Sequence, residues 1–248
     1  MRKILMEVCC GSVDDVVQAQ KAGADRVELN SCLFHGGLTP SIGTLIAAKE
    51  AITIPIMSMV RPRQGGFCYT DAEFKTAMYD AEQLLLHGTD GIVFGFLHDD
   101  GTLDVERSRE IVKLAGGKPT VFHRAMDVVP DWKKTLEQLI DIGVTRVLTS
   151  GQMPDSFYGA ETIRQMIEFA QGAIEILPGG GIKHWNIDRV IDITGCTQVH
   201  VARFGSYTDN STLGNTAIHF GSALYPSETV YNITDSNYIA NLRKLGEQ

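Results

Sequence analysis

One five-residue phrase recurs four times along the chain, as Gly23-Ala-Asp-Arg-Val27, Gly88-Thr-Asp-Gly-Ile92, Gly143-Val-Thr-Arg-Val147 and Gly195-Cys-Thr-Gln-Val199. Glycine adopts the left-handed conformation that ends a helix, and a β-branched residue four positions later begins a strand. Each copy therefore reads as a helix-to-strand turn. Apolar runs of strand length occur at 4–9, 26–29, 55–60, 91–96, 119–123, 146–150, 174–178 and 198–202. Stretches of helical period separate them, at 13–22, 44–51, 72–86, 105–114, 132–142, 160–170 and 186–194. That alternation implies parallel strands covered by helices. The repeated turns precede the second, fourth, sixth and eighth runs. Pro55 and Pro119 open the third and fifth, where a residue without an N–H is tolerated.

Four βαβα modules in 248 residues match the ~250 usual for a (β/α)8 barrel. An open doubly wound sheet shows the same alternation. The even echo as far as the eighth run, with no early Gly-x-Gly-x-x-Gly turn, favours closure. The expected fold is thus α/β, one TIM-barrel domain over residues 1–248. Residues 204–234, rich in Ser, Thr, Asn, Tyr and Gly, form a long irregular segment of the kind that serves as a lid or an oligomer contact or is partly disordered, before a last helix at 235–245.

Composition narrows the partners. With 22 basic and 30 acidic residues the formal charge is −8, which disfavours nucleic acid and anionic membrane surfaces. Arg2 and Lys3 are followed only by Ile4-Leu5-Met6 before Glu7, too short a run for a secretory leader or a membrane span. Five cysteines, an odd number in a chain too large to need disulfides, suit a reducing compartment, and the expected location is cytoplasmic.

A charged residue inside an apolar barrel strand is expected to point inward near a mouth that water or ligand reaches. Glu7, Glu28, Arg61, His123, Arg124 and His200 meet that description, and Asp127 follows the fifth run closely. All fall toward the C-terminal ends of their strands, where such barrels assemble active sites. Glu175 comes too early in its run for that rim. The competing reading is structural ion pairing, Glu7 with Arg61 or Glu28 with Arg124. After the seventh run, Gly179, Gly180 and Gly181 allow backbone N–H groups to approach an anion such as phosphate, and Arg203, Gly205 and Ser206 follow the eighth run and complete such a cup. A tight turn is the plainer use of the glycines.

Several chemistries lack their residues. No lysine falls within a strand to form a Schiff base, and no His-x-His, His-Glu-x-x-His or Gly-x-Ser-x-Gly is present. No organic cofactor is expected. Cys9, Cys10, Cys32 and Cys68 follow the first three strands, and thiolates select soft ions such as Cu(I). Packing as small hydrophobes is the competing use, and alternation along the first strand sends Cys10 outward if Glu7 and Cys9 face inward. Met57 and Met59 share the parity of Arg61 and suit core packing.

Glu7-Val-Cys-Cys, Gly23-Ala-Asp-Arg-Val-Glu-Leu29, Gly36-Gly-Leu-Thr-Pro-Ser41, Val60-Arg-Pro-Arg63, Phe67-Cys-Tyr69, Phe122-His-Arg-Ala125 with Asp127, and Val147-Leu-Thr-Ser-Gly-Gln152 together resemble the CutC family of copper homeostasis proteins. The resemblance implies a cytosolic TIM barrel, a homo-oligomer, and a part in copper handling. It also implies a pocket at Glu7, Glu28, Arg61, His123, Arg124 and Asp127, with Cys9, Cys10, Cys32 and Cys68 as the thiols relevant to Cu(I). Two functions follow. One is Cu(I) binding through rim cysteines. The other is an isomerase, lyase or epimerase acting on a small anionic metabolite, phosphorylated or not, with Arg61 and Arg124 holding its carboxylate or phosphate and Glu7 or Glu28 with His123 moving protons.

Overall fold

The computed structural model describes residues 3–221 and 227–247. Its strands are β1 (Leu5–Cys10), β2 (Arg26–Leu29), β3 (Ile56–Met59), β4 (Gly91–Phe94), β5 (Thr120–Phe122), β6 (Arg146–Thr149), β7 (Glu175–Pro178) and β8 (Gln198–Val201). They alternate with helices α1 (Val13–Lys21), α2 (Ile42–Ala51), α3 (Asp71–Leu86), α4 (Val105–Leu114), α5 (Trp132–Asp141), α6 (Ala160–Ala170) and α7 (Ile187–Thr194). Each strand pairs in parallel with its sequence neighbours, and β8 returns to β1. A parallel bridge between Gly179 and His200 joins the ends of β7 and β8 and closes the barrel. No reversal of strand order occurs, so the doubly wound topology is excluded.

The repeated phrase does what its chemistry requires. Gly23, Gly88, Gly143 and Gly195 follow α1, α3, α5 and α7 with φ of +86°, +91°, +82° and +67°. Helix starts are fixed by side-chain caps, among them Ser12 on α1, Thr70 in a reciprocal capping box with Glu73 on α3, and Asp131 on α5.

Strand alternation sorts the side chains into two layers. Met6, Val8, Cys10, Val27 and Leu29 join the large core between strands and helices. Met57, Met59, Val93, Val121, Leu148 and Leu177 form a smaller cluster inside the barrel. The rest of the interior is polar. Arg26 is paired with Glu7 and donates through Nη2 to Gln198 Oε1 at 3.1 Å; Gln198 Nε2 donates to Glu175 Oε2 at 3.2 Å, which also accepts from Arg146 Nε at 2.7 Å. This chain of charges fills the N-terminal half of the barrel on the side of β1, β2, β6, β7 and β8.

The segment after β8 is more regular than its composition suggests. Its two ends pair as an antiparallel hairpin, β9 (Phe204–Thr208) with β10 (Val230–Thr234). The partners lie far apart in sequence with no tight-turn signal between them, so only tertiary pairing reveals the strands. Residues 222–226 of the expected irregular segment lie outside the described residues. Thr234 N and Oγ1 donate to Asp15 Oδ1 at 2.6 and 3.0 Å, fastening the hairpin to α1 before the last helix, α8 (Ser236–Gly246). Among the described residues no helix is long and apolar enough to cross a membrane.

Candidate functional site

At the C-terminal mouth, a cavity of about 270 Å³ is lined by Cys9, Glu28, Arg61, His123, Arg124 and His200, with Gly36, Met59, Phe67 and Leu148. Six of the expected polar or thiol residues therefore meet in one space. Glu7 lies one layer deeper, and Asp127 is held to one side.

Glu7 and His200 sit opposite each other on β1 and β8. His200 Nδ1 donates to Glu7 Oε1 at 2.7 Å while the other carboxylate oxygen takes Arg26 Nε. Burial raises the pKa of Glu7, but the His200 bond and the charges of Arg26 and Arg146 outweigh it and hold the pKa down to about 2. Burial alone lowers that of His200, yet Glu28, Cys9 and Glu7 together lift it well above the ordinary histidine value. The pair is a carboxylate with an imidazolium. The ion pairs suggested by sequence, Glu7 with Arg61 and Glu28 with Arg124, do not form; Arg26, at the start of its strand, takes Glu7 instead.

Glu28 behaves in the opposite sense. It is buried beside the negative Glu7, and its pKa is raised despite His200 and an Asn30 Nδ2 bond of 2.9 Å to Oε1. Its Oε2 is buried without a partner. Cys9 Sγ lies 3.9 Å from Glu28 Oε1, and burial pushes its thiol up to about 11.

His123 caps the 3-10 turn that follows β5. Its Nδ1 accepts the Ala125 N–H at 3.1 Å, which leaves the ring proton on Nε2. Burial first, and the Arg61 charge second, push its pKa down to about 3, so the ring is neutral. Nε2 is buried with no partner. The ring packs against Phe67 with centroids 4.7 Å apart, and the Arg61 guanidinium lies 5.3 Å from that Phe67 ring. Gly95 makes the room, since a Cβ there would lie 2.3 Å from His123 Cε1.

The two arginines differ from their expected use as bidentate clamps. Arg61 Nη1 donates to the carbonyls of His35 and Gly37, each at 3.0 Å, and Nη2 to that of Gly65 at 2.7 Å; only Nε is left unpartnered. It tethers the loops after β2 and β3. Arg124 donates to Asp127 at 2.7 Å and to Ser150 Oγ at 2.7 Å. Asp127 is a clamp on the end of β6: it also accepts from Thr149 Oγ1, from the Ser150 N–H and Oγ, and from the Gln152 N–H. Both of its oxygens are thus occupied by the protein itself. Gly180 and Gly181 have positive φ, +97° and +71°, and the backbone at Gly180 packs against the Arg124 guanidinium. Gly205 and Ser206 run up the hairpin in β9.

The thiols are dispersed. Cys9 alone of the four lines the cavity. Cys10 points into the core between strands and helices, as alternation requires, and Cys32 and Cys68 are exposed. Among the described residues, the one set of three side chains with metal-ligand spacing is Cys9, Glu28 and His200, whose donor atoms lie within 4.8 Å of one another. Sequence reasoning missed Asn30 and Phe67. Asn30 was recoverable, because it shares the inward parity of Glu28 two positions on; Phe67 sits on a loop where no periodicity applies.

A model of the CutC family matches residues 4–205, from β1 into β9. A CutC family protein of Treponema denticola is 50% identical over 228 residues, 92% of this chain and 93% of its own length. The human copper homeostasis protein cutC homolog is 38% identical over 243 residues, 98% of this chain and 89% of its own. The crystal structure of a CutC copper homeostasis protein from Streptococcus agalactiae superposes with a TM-score of 0.76 at 34% identity, covering 79% of this chain and 97% of that one. By fold, motif order and full-length similarity, this chain belongs to the CutC family.

Proposed function

We propose that the barrel mouth binds a small organic anion and transfers a proton on it, as an isomerase or epimerase does. One observation carries this reading. Three buried polar atoms without partners, Glu28 Oε2, Arg61 Nε and His123 Nε2, belong to residues that line the same cavity. An unmade buried hydrogen bond costs about 1–3 kcal/mol, and three around one space are best explained by a ligand that completes them.

Their chemistry is complementary to one kind of ligand. With its pKa raised, the Glu28 carboxylate is a stronger base than an ordinary glutamate. Neutral His123 offers an Nε2–H to a carbonyl oxygen that becomes an oxyanion, and Arg61 adds positive charge beside it. In the step this supports, Glu28 takes a proton from the carbon next to the carbonyl. The electron pair moves onto the oxygen held by His123; return of a proton to the same carbon from the opposite face re-forms the carbonyl as an epimer, and return to the former carbonyl carbon, with the hydroxyl proton of the first carbon passing to the oxyanion, gives the isomer. No oxidant or reductant is needed. Deuterium wash-in from D2O, followed by proton NMR on a panel of small hydroxy acids, keto acids and sugar phosphates, tests it. Enzyme-dependent exchange lost in Glu28→Gln is expected; exchange that survives in Glu28→Gln, or is found with no compound, defeats it.

A second reading follows from the spacing of Cys9, Glu28 and His200 and from the copper homeostasis names of the relatives. Cu(I) would take the Cys9 sulfur and a His200 nitrogen. Both are protonated in the resting site, so uptake must release protons and strengthen as pH rises. Anaerobic Cu(I) titration against a competing chelator should then show one equivalent, lost in Cys9→Ser and kept in Cys32→Ser and Cys68→Ser. Cys9, Cys10, Cys32 and Cys68 form no disulfide, in keeping with a reducing cytosol.

A further inference from the structure

A second cleft opens beside the mouth, between the ends of β7 and β8 and the start of α8. Its volume is about 340 Å³, and its walls include Arg124, Gly180, Gly181, Lys183, Arg203 and Tyr238. Arg124 and His200 line both spaces, so the two are adjacent. The cleft collects positive charge on a chain whose formal charge is −8. Of its four cations, Arg124 and His200 have carboxylate partners, Asp127 and Glu7; Lys183 and Arg203 have none among the described residues. Arg203 is nevertheless held in place, 5.1 Å from the Tyr238 ring, which stacks on His184 at 3.7 Å. The nearby acids are occupied elsewhere: Asp155 accepts the Phe157 and Tyr158 N–H groups, and Asp235 caps α8 by accepting the Tyr238 N–H.

We infer that this cleft is a phosphate subsite and that the ligand of the mouth is a phosphate monoester, its dianion between Lys183, Arg203 and Arg124 and its carbon end over Glu28 and His123. Two cations free of carboxylates beside a third suit a dianion, and positive-φ glycines let it approach the backbone. The assignment of the carbon end rests on the proton-transfer reading above; the anion site does not.

Isothermal titration with inorganic phosphate at low ionic strength tests the cleft. One phosphate per chain is expected, weakened about tenfold or more when Lys183→Ala and Arg203→Ala are combined. Both side chains are exposed, so the variant should keep its fold, which its thermal midpoint verifies. Binding to Glu28→Gln should stay within about twofold of the parent. Absence of saturable binding, or binding indifferent to the paired substitution, overturns the proposal. Glycerol 3-phosphate should displace inorganic phosphate where glycerol does not, and its failure to compete overturns the monoester class. If phosphate binds as expected while no Glu28-dependent exchange is found, the cleft stands and the proton-transfer reading falls; exchange without phosphate binding gives the reverse.

Discussion

Replacing His123 by asparagine isolates the protonation state on which the mouth depends. Asparagine is a good cap whose Oδ1 can still accept the Ala125 N–H, but it does not titrate. In the folded protein His123 has a pKa near 3, set by burial and then by Arg61; in the unfolded chain it returns to ~6.5. Below pH 6.5 the unfolded state therefore binds a proton that the folded state refuses, and wild-type stability falls as pH drops toward 3. With ~1.36 kcal/mol per pKa unit, about 3 kcal/mol is lost between pH 7.5 and 4.5. The variant escapes that loss. It carries instead a constant deficit of about 1–3 kcal/mol for the smaller side chain beside Phe67 and Phe122. Urea unfolding followed by circular dichroism across this range should show the stability of wild type relative to variant shrinking by about 3 kcal/mol toward acid. Other groups, Glu7 among them, titrate in both proteins and cancel. A difference that stays constant, or ring nitrogens that titrate near pH 6.5, would refute the buried neutral Nε2–H tautomer and with it the donor role.

Glu7→Gln leaves Arg26 and His200 buried without their carboxylate, and about 3–5 kcal/mol should be lost at pH 7 in urea unfolding. Asp127→Ala removes the acceptor for Thr149, Ser150, Gln152 and Arg124; a loss of about 2–4 kcal/mol is expected, with amide exchange accelerated at 150–152. Gly180→Ala puts a Cβ at φ +97° and 3.2 Å from the Arg124 guanidinium. It should cost about 1–3 kcal/mol, read as a lower thermal midpoint, and weaken phosphate binding through the displaced arginine.

The barrel was legible because its signals are local. Left-handed glycines at 23, 88, 143 and 195 and the spacing of apolar runs place the strands without tertiary information, and alternation along β1 correctly separates Glu7 and Cys9 from Cys10. The site was legible in membership more than in role. Parity says that Arg61 and Glu28 face the mouth, but loop carbonyls that occupy the Arg61 guanidinium come from residues 35, 37 and 65, whose approach no periodicity encodes. Asp127 looked like a rim acid for the same reason: apart from Arg124, its partners Thr149, Ser150 and Gln152 lie at the end of β6 and just past it, more than twenty positions away. Arg26, Arg146 and Gln198 stand at strand starts, where sequence suggests an exposed edge; only barrel closure turns those starts into an interior, with Glu175 at its exposed end.

That buried network also explains how two carboxylates on neighbouring strands acquire different chemistry. Glu7 is met by a guanidinium and an imidazolium and stays ionised; Glu28, opposite Cys9 on the next strand, is raised first by burial and then by the negative Glu7, against the pull of His200 and the Asn30 amide. The inner pair fixes His200 as a cation, and His200 in turn limits how far Glu28 rises. Removing Glu7 should thus move the acid limb of any Glu28-dependent reaction as well as stability. Cys9 shares the Glu28 environment and is held as a thiol by the same burial, so the arrangement that favours proton transfer at Glu28 opposes a resting thiolate at Cys9. The two functions place opposite demands on one set of atoms, and the pH dependence of Cu(I) uptake against that of proton exchange distinguishes them.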